Sequence, residues 1–460
     1  MRNPPKPKIA LISLGCPKNL VDSEVMLGLL DQAGYPIVEA VSEADIAILN
    51  TCAFIEPAQE EAIEALLDLG EMKAAGELQA IICTGCLPQR YGRELVEELP
   101  EIDGFVQVGA TPRIVEAVEA AGAGRHTFLE ASAGYALTCE LPRWRSAPQW
   151  LSYLRIAEGC DHRCSFCTVP AIRGRQRSRE PQDVLTEYRQ MIAEGLQEII
   201  VIAQDTSAYG HDLTSRRSLA HLLGLLAPVA FDGWVRLMYA HPGGVDEELL
   251  KAMADFPAMV PYLDIPWQHA SPGILRVMRR PGNADEYLRL LDAARSIMPG
   301  LAVRTTFIVG FPGETDEDFQ CLLDFVTEAR CDRLSAFAYC PEAGTVAAEM
   351  PDQVPLREAL DRLEALMRCQ EGISLENNAA LVGKRMRVLV ERKAAEGELW
   401  FARSYRDAPE VDCEVKIATA QEDTQPRIGQ FAEVAITGAE IYDLNARLVG
   451  DSDRSEVTTD

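Results

Sequence analysis

Three cysteines lie within eight residues of one another in the segment 158–170: Cys160, Cys164 and Cys167. The preceding residues, 151–157, alternate apolar and polar side chains, which is typical of a strand. A short loop at the end of a strand can direct three thiols at one point. A structural zinc ion takes four protein ligands. A 4Fe–4S cluster held by three cysteines instead leaves one iron open to a cofactor or substrate.

A zinc site with His162 as the fourth ligand is one alternative. His162 lies inside the first gap between the cysteines, where its backbone belongs to the turn, and no second Cys-x-x-Cys or His pair follows at finger spacing. Plain core cysteines are the other alternative. Thiols this dense in a chain of a reducing compartment usually hold metal, so the sequence favours a cluster.

The spacing of three residues and then two resembles that of the radical S-adenosylmethionine enzymes. The resemblance implies that the open iron binds S-adenosylmethionine and that reductive cleavage releases a 5′-deoxyadenosyl radical. It also implies that Phe166, just before the last cysteine, lies beside the adenine.

Three further cysteines each follow a predicted strand: Cys16, Cys52 and Cys86. Strands and helices alternate over residues 8–124, which predicts a doubly wound parallel sheet. Loops beyond the carboxyl ends of such strands form the ligand crevice, so we expect these thiols to converge on a second cluster. Coincidental core placement is the alternative. Cys83 lies earlier in its strand and is expected in the core.

Residues 13–24, 50–55 and 84–86 resemble the methylthiotransferases, a radical S-adenosylmethionine subgroup, and the resemblance covers nearly the whole chain. It implies an auxiliary 4Fe–4S cluster on Cys16, Cys52 and Cys86, so that the chain would hold two 4Fe–4S clusters. It further implies two S-adenosylmethionine molecules per turnover and a sulfur atom from sulfide or persulfide. The first molecule would methylate that sulfur, and the radical from the second would activate the substrate carbon.

The middle of the chain repeats strand and helix. Six strands are predicted, at residues 153–157, 198–203, 234–238, 262–265, 302–309 and 333–338. Six units are too few for a closed eight-fold barrel. The resemblance implies the partial, TIM-like (β/α)6 barrel of the radical S-adenosylmethionine family, whose open side admits a large substrate.

Polar residues follow several of these strands, where barrel chemistry is found. Gln204 and Asp205 are candidates for the methionine or ribose end of the cofactor. Gly310 and Glu314 belong to a segment that resembles the glycine motif bordering the adenine. A helix cap is the alternative role for each residue. Two histidines at other strand ends are expected to satisfy loop hydrogen bonds: His241 and His269.

Four arginines alternate over residues 173–179 and would share one face if that segment were extended. We expect them to form a charged wall near the cofactor, with a solvated edge as the alternative. Cys139, in the connector, is expected to be inert. Four other cysteines show no metal spacing and are expected in core or loop packing: Cys321, Cys331, Cys340 and Cys369.

The last part of the chain changes from helices to short strands. Residues 355–376 predict a long amphipathic helix, and strand-like segments with polar turns follow it. These segments predict a small all-β barrel, which resembles the TRAM domain. The predicted domains are therefore residues 6–124 with the auxiliary cluster, 146–376 with the radical S-adenosylmethionine site, and 378–446 with the TRAM barrel. The polar end, 451–460, is expected to be disordered.

The composition limits the classes of molecule that this protein is expected to bind. The 460 residues carry a net charge of −27. This charge disfavours a general nucleic-acid binder and favours a basic partner. Solubility is the alternative reason for such an acidic composition. No apolar run reaches ~18 residues and no apolar signal core follows the basic, proline-rich start. We therefore expect a cytoplasmic protein without membrane contact.

One branch of the methylthiotransferases modifies an adenosine in tRNA, and the other an aspartate in small-subunit ribosomal protein S12. Residues 15–23, 53–56, 202–206 and 264–269 resemble the ribosomal-protein branch. The resemblance implies methylthiolation of the aspartate β-carbon in S12, with an electron donor such as flavodoxin or ferredoxin. Transfer to tRNA remains an alternative, and so does a metal-dependent RNA-binding protein without catalysis.

Overall fold

The computed structural model describes residues 5–131, 137–146, 148–215, 217–395, 399–418 and 425–449. The segment 451–460, predicted to be disordered, lies outside the described residues. None of the described helices combines the length and the apolar character needed to cross a membrane.

The first unit is built on a parallel sheet. Within the described residues its five strands follow the order β1 (Ile9–Ser13), β2 (Ile46–Thr51), β3 (Ala80–Gly85), β4 (Gly104–Gln107) and β5 (Thr127–Leu129). The helices between them are α1 (Pro17–Gln32), α2 (Glu56–Ala74), α3 (Cys86–Tyr91), α4 (Glu94–Glu98) and α5 (Ile114–Gly122). Apolar side chains of α1 and α5 pack on one face of the sheet and those of α2 and α3 on the other. The doubly wound arrangement predicted from the sequence is confirmed.

Successive strands are added on opposite sides of β1. A parallel bridge joins Ile9 to Ile37 on the side of β1 that does not pair with β2. The strand order therefore switches between β1 and β2, and ligands of open α/β sheets bind in the crevice beyond the carboxyl ends at such a point. The pattern of residues 88–99 predicts a single helix, but the structure has two, α3 and α4, because Gly92 ends α3 with a φ of 61°.

The second unit is the predicted partial barrel. In the described chain its parallel strands are β6 (Leu151–Arg155), β9 (Glu198–Ile202), β10 (Trp234–Leu237), β11 (Tyr262–Asp264), β12 (Ala302–Val309) and β13 (Arg333–Ala338). A short antiparallel pair, β7 (Ala157–Glu158) and β8 (Arg177–Ser178), frames the cysteine loop. The helices are α6 (Val169–Arg173), α7 (Pro181–Ala193), α8 (Leu219–Leu226), α9 (Glu247–Ala254), α10 (Pro272–Val277), α11 (Ala284–Ile297), α12 (Asp316–Ala329) and the closing helix α13 (Leu356–Ala379).

The third unit is a closed barrel with the order β14-β15-β16-β18-β17. Its strands are β14 (Arg385–Lys393), β15 (Leu399–Ser404), β16 (Val415–Ala418), β17 (Phe431–Ala439) and β18 (Leu444–Leu448). The α/β fold with a small C-terminal all-β barrel is thus as predicted from the sequence.

Buried charges attach this barrel to the partial barrel. Glu198 on β9 accepts hydrogen bonds from Arg236 at 2.8 Å and from Arg403 of the third unit at 2.5 Å. Arg333 on β13 pairs with Asp407 at 2.5 Å. All five side chains are buried. The third unit is therefore seated on the amino ends of the central strands, opposite the edge where barrel chemistry is found.

Candidate active site

The first trio of cysteines lies at the carboxyl edge of the first sheet. Cys16 precedes α1, Cys52 follows β2 and Cys86 begins α3. Gly15 has a φ of 88°, and a Cβ placed on it would lie 2.7 Å from the Cβ of Cys52, so only glycine lets the two loops pass this closely. Burial raises the pKa of Cys86 to about 11, although the guanidinium of Arg173 lowers it. The structure thus places the three predicted thiols on neighbouring loops at one edge of the sheet.

A buried asparagine joins the three loops that carry these cysteines. Asn19 Nδ2 donates to the carbonyl oxygens of Leu14 at 3.0 Å and Thr51 at 2.9 Å, while its Oδ1 lies 3.6 Å from the Sγ of Cys86. One side chain therefore contacts the loops after β1 and β2 and the start of α3. The sequence interpretation gave Asn19 no role. Asparagine is disfavoured inside helices. Its presence in the first turn of a predicted helix is the sequence signal that would have pointed to Asn19.

The second trio lies on a loop that is fixed by backbone contacts. Gly159 has a φ of 80°, and a Cβ there would lie 2.1 Å from the carbonyl oxygen of Arg175. Ser165 Oγ donates to the carbonyl of Val277 at 2.8 Å, and its own carbonyl accepts from the Ala347 N–H at 2.8 Å. These contacts hold the loop from both sides of the barrel mouth.

Each trio has the chemistry to hold a 4Fe–4S cluster. Burial raises the pKa of Cys160 to about 11 and that of Cys167 to about 12. Such thiols stay protonated until a metal displaces the proton. An arginine lies beside one sulfur of each trio: the guanidinium of Arg280 is 3.8 Å from Cys164 Sγ, and that of Arg173 is 3.5 Å from Cys86 Sγ. Cations at these positions suit a cluster surrounded by thiolates.

The two trios are linked directly across the boundary between the units. Arg173, six residues after Cys167, is buried and donates to Asp22 of α1 at 2.7 Å as well as to Cys86. Thr168 Oγ1 donates to the carbonyl oxygen of Phe54, two residues after Cys52, at 3.3 Å. The chain that leaves the second trio therefore packs against the loops that carry the first.

Asp22 shows how this boundary tolerates buried charge. Arg155 of β6 donates to the same carboxylate at 2.8 Å. Burial by itself would raise the pKa of Asp22, but Arg155 and Arg173 hold it below its ordinary value. Asp22 is therefore an ionised bridge between α1 and the partial barrel.

His162 does not point to the cysteines, which removes the main support for a zinc site there. Its Nε2 lies 2.7 Å from Asp205 Oδ2, and its ring stacks on His241 with centroids 3.8 Å apart and planes 12° apart. Among the described residues these three form the one group with ligand atoms within 4.8 Å of one another. The lone pair of an imidazole nitrogen lies in the ring plane, so two nearly parallel rings cannot both direct one at a single ion. The group is a hydrogen-bonded cluster that lines a cavity of about 330 Å³.

Two segments that the resemblance assigns to the adenine lie next to each other. Phe166 meets Phe311 edge to face, with centroids 6.3 Å apart. Gly310 has a φ of 71°, and a Cβ on it would lie 2.2 Å from that of Ala359 in α13, so this glycine is required for packing. Glu314 accepts from the Phe311 N–H at 3.2 Å and from Arg362, which shapes the 310–314 loop.

The other two predicted contacts lie at the opposite side of the cysteine loop. Gln204 Nε2 donates to Glu158 at 2.6 Å, and its Oε1 accepts from the Gly159 N–H at 2.9 Å. Asp205 accepts from Ser207 and contacts His162. Gln204 therefore orients the loop, and Asp205 faces the cavity beside it.

The arginine prediction was only partly right. The four arginines of residues 173–179 do not share a face, because α6 ends at Arg173 and β8 contains only residues 177–178. Arg173 and Arg179 are buried, whereas Arg175 is exposed and pairs with Asp161. Only Arg173 reaches the cysteines. The two strand-end histidines accept hydrogen bonds within their own loops, from the N–H groups of Gly243 and Ser271, as expected.

Lys18 also lies at this boundary and was missed in the sequence. It is two residues after Cys16, and its Nζ sits 3.1 Å from the ring centroid of Tyr239, just beyond β10. Burial lowers the pKa of Lys18 to about 8. A lysine in the first turn of a helix gives no sequence signal of burial, because this position is commonly exposed.

Comparisons with family profiles agree with the three units. Residues 154–326 match the radical SAM superfamily, residues 8–107 match the uncharacterized protein family UPF0004, and residues 382–449 match the TRAM domain.

Curated relatives match the chain over almost its whole length. A protein of Pelotomaculum thermopropionicum named ribosomal protein uS12 methylthiotransferase RimO is 46% identical over 443 residues, covering 96% of this chain and 99% of the relative. The protein of that name in Desulforudis audaxviator is 45% identical, covering 96% and 97%. In Synechococcus the identity is 42%, covering 97% and 96%.

Solved structures share the fold. The radical S-adenosylmethionine methyltransferase TsrM of Kitasatospora setae superposes with a TM-score of 0.53 at 15% identity, covering 72% of each chain. The cobalamin-dependent radical enzyme OxsB also gives 0.53, at 14% identity, covering 79% of this chain and 56% of that one.

Proposed function

The chain belongs to the family of ribosomal protein uS12 methylthiotransferases, and from this premise we propose that it attaches a methylthio group to the β-carbon of an aspartate in ribosomal protein S12. The reaction is radical S-adenosylmethionine chemistry. One observation carries the proposal: the two cysteine trios lie on loops that contact each other through Arg173 and Thr168. Two cysteine-bound groups that act on one carbon require such an arrangement.

The second trio, Cys160, Cys164 and Cys167, is the radical site of the proposal. A 4Fe–4S cluster and S-adenosylmethionine bound there supply the 5′-deoxyadenosyl radical that removes a hydrogen atom from the substrate. An unactivated C–H bond has no useful acidity near neutral pH, so such chemistry belongs to a cofactor. The chain's own residues hold the loop and shape the pocket. Phe166 and the 310–314 loop would border the adenine, and Gln204 and Asp205, on the other side of the cysteine loop, would take the methionine or ribose end.

The first trio is the sulfur-transfer site of the proposal. Cys16, Cys52 and Cys86 would hold a second 4Fe–4S cluster, and Asn19 and Arg173 keep their loops in place. The transferred sulfur comes from sulfide or persulfide, and two molecules of S-adenosylmethionine are used in each turnover. Buried thiols of raised pKa and an adjacent guanidinium support a group that needs thiolate ligands.

Charge supports the choice of partners. The chain carries a net charge of −27, and ribosomal proteins are basic, so electrostatic complementarity favours S12 over tRNA. We assign the electron supply to a donor such as flavodoxin or ferredoxin and place the reaction in the cytoplasm, where ribosomal proteins are modified.

The test uses the enzyme reconstituted anaerobically with iron, sulfide, S-adenosylmethionine and a reductant. We expect mass spectrometry to find one methylthio group on S12 and chromatography to find 5′-deoxyadenosine. Cys164→Ala should lose both products. Cys86→Ala should still release 5′-deoxyadenosine but transfer no methylthio group. Cys321→Ala, a partly exposed cysteine of α12 outside both trios, is the matched control and should keep both. Modification of tRNA with S12 unchanged would overturn the proposal.

A further inference from the structure

Lys18 has a buried ammonium that no carboxylate of the described residues pairs with. The residue is 8% exposed, and its ammonium lies over the ring of Tyr239, 3.1 Å from the centroid. No ion pair with a carboxylate is formed by this ammonium among the residues that the structure describes. Burying an unpaired charge is unfavourable, and an aromatic face offsets only part of that cost.

The carboxylates nearest to Lys18 are already bound by arginines. Asp264, at the end of β11, accepts from Arg304 at 3.0 Å. Glu158 of β7 lies 3.0 Å from Arg155. The charge of Cys16 favours the ammonium form of Lys18 most, followed by Asp264 and Glu158, whereas Arg173 opposes it. Neither carboxylate forms an ion pair with Lys18 in the described part of the chain.

Tyr239 is held against Lys18 by an unusual backbone conformation. Its φ is 63°, in the left-handed region that non-glycine residues rarely adopt, and its N–H donates to Asp264 at 2.9 Å. Strain of this kind persists where the surrounding structure fixes it, and it is concentrated at ligand sites. The ring of Tyr239 is therefore held against the ammonium of Lys18, two residues after Cys16.

We propose that Lys18 binds the side-chain carboxylate of the target aspartate in S12. This inference rests on the proposed function and names a substrate contact within it. Lys18 lies two residues from Cys16 and faces the carboxyl ends of β10 and β11, between the first trio and the mouth of the partial barrel. The β-carbon of aspartate is bonded to its carboxyl carbon, so an ammonium that fixes the carboxylate also fixes the atom that reacts.

The first test compares the affinity of the holoenzyme for S12 and for S12 with the target aspartate changed to asparagine. Removing one partner of a buried charge pair typically weakens binding by about 30-fold or more. We expect the wild type to prefer the aspartate form by about that factor. Lys18→Met should lose the preference, and Lys18→Arg, which keeps the charge, should retain part of it. Lys251→Met, at an exposed surface pair of α9, is the control and should bind as the wild type.

The second test needs no variant. A carbodiimide joins a carboxylate to an ammonium in contact with it, so treatment of the wild-type complex should give an isopeptide between Lys18 and the target aspartate. The inference would be overturned if the complex formed cross-links at other residues but none between Lys18 and the target aspartate. It would also be overturned if the Lys18→Met enzyme kept the preference for the aspartate form of S12. In either case S12 methylthiolation by the wild type would still stand. If the wild type neither binds nor modifies S12, the proposed function itself fails.

Discussion

Replacing Arg173 by methionine should uncouple the two halves of the site. The guanidinium contacts Asp22 at 2.7 Å, Cys86 at 3.5 Å and the amide oxygen of Asn19, all on the first unit. Asp22 keeps Arg155 at 2.8 Å, so the loss falls at the low end of the range for a broken buried ion pair, about 3 kcal/mol. Local opening of the first trio then becomes about 100-fold more frequent.

Hydrogen exchange measures this opening. The N–H groups of Asn19 and Leu20 donate to the Cys16 carbonyl, and their exchange in Arg173→Met should accelerate by about 100-fold. Methylthiolation of S12 should fall sharply, while 5′-deoxyadenosine release persists, because the second trio keeps its own backbone contacts. Arg175→Met is the matched control from the same run of arginines, since Arg175 is exposed. Equal exchange and equal product yield in the two variants would refute the reasoning.

Three further predictions address the scaffold. Gly159 and Gly34 have the same left-handed backbone, φ 80° and 78°, but only at Gly159 would a Cβ meet a carbonyl oxygen, at 2.1 Å. We expect Gly159→Ala to lose about half of the bound iron and all 5′-deoxyadenosine release, and Gly34→Ala to keep both. Equal behaviour of the two variants would contradict the steric argument. Burial would raise the pKa of Glu198, but two arginines hold it below 4.5, so its stabilisation is present above that pH and is lost below it. The thermal midpoint of Glu198→Gln should therefore lie below that of the wild type at pH 7, and the gap should close under acid; a gap independent of pH would exclude this origin. Burial raises the pKa of Cys83 to about 12, so in metal-free folded protein this thiol should resist iodoacetamide, as read by mass spectrometry, and rapid labelling would place it outside the core.

Local sequence patterns were enough for the fold. Each predicted strand of the partial barrel is present, and the six cysteines of the two trios follow strands as expected. Strand ends are readable because apolar runs stop there, and the rules of parallel sheets then place the loops at one edge. Cys83 is fully buried in the core, also as predicted.

The contacts between units were not readable in this way. Arg173 lies in a run of alternating arginines that suggested one extended face, yet a short helix and a turn separate it from Arg175. The apolar pattern of residues 411–417 predicts one strand, but β16 begins at residue 415 because Asp412 binds Arg304 and Tyr262 of the partial barrel. Asn19 and Lys18 act on partners more than 30 residues away in sequence. No periodicity encodes such pairings.

The fixed attachment of the small C-terminal barrel affects how a bound macromolecule would be positioned relative to the cysteine loops. Because Arg403 pairs with Glu198 on β9 and Asp407 pairs with Arg333 on β13, this unit cannot move like a domain on a flexible linker. Its outward surface keeps one orientation relative to the cysteine loops. A protein bound to this surface would be held at a fixed distance from the cysteine loops. Only a residue at that distance from the bound surface would then be modified.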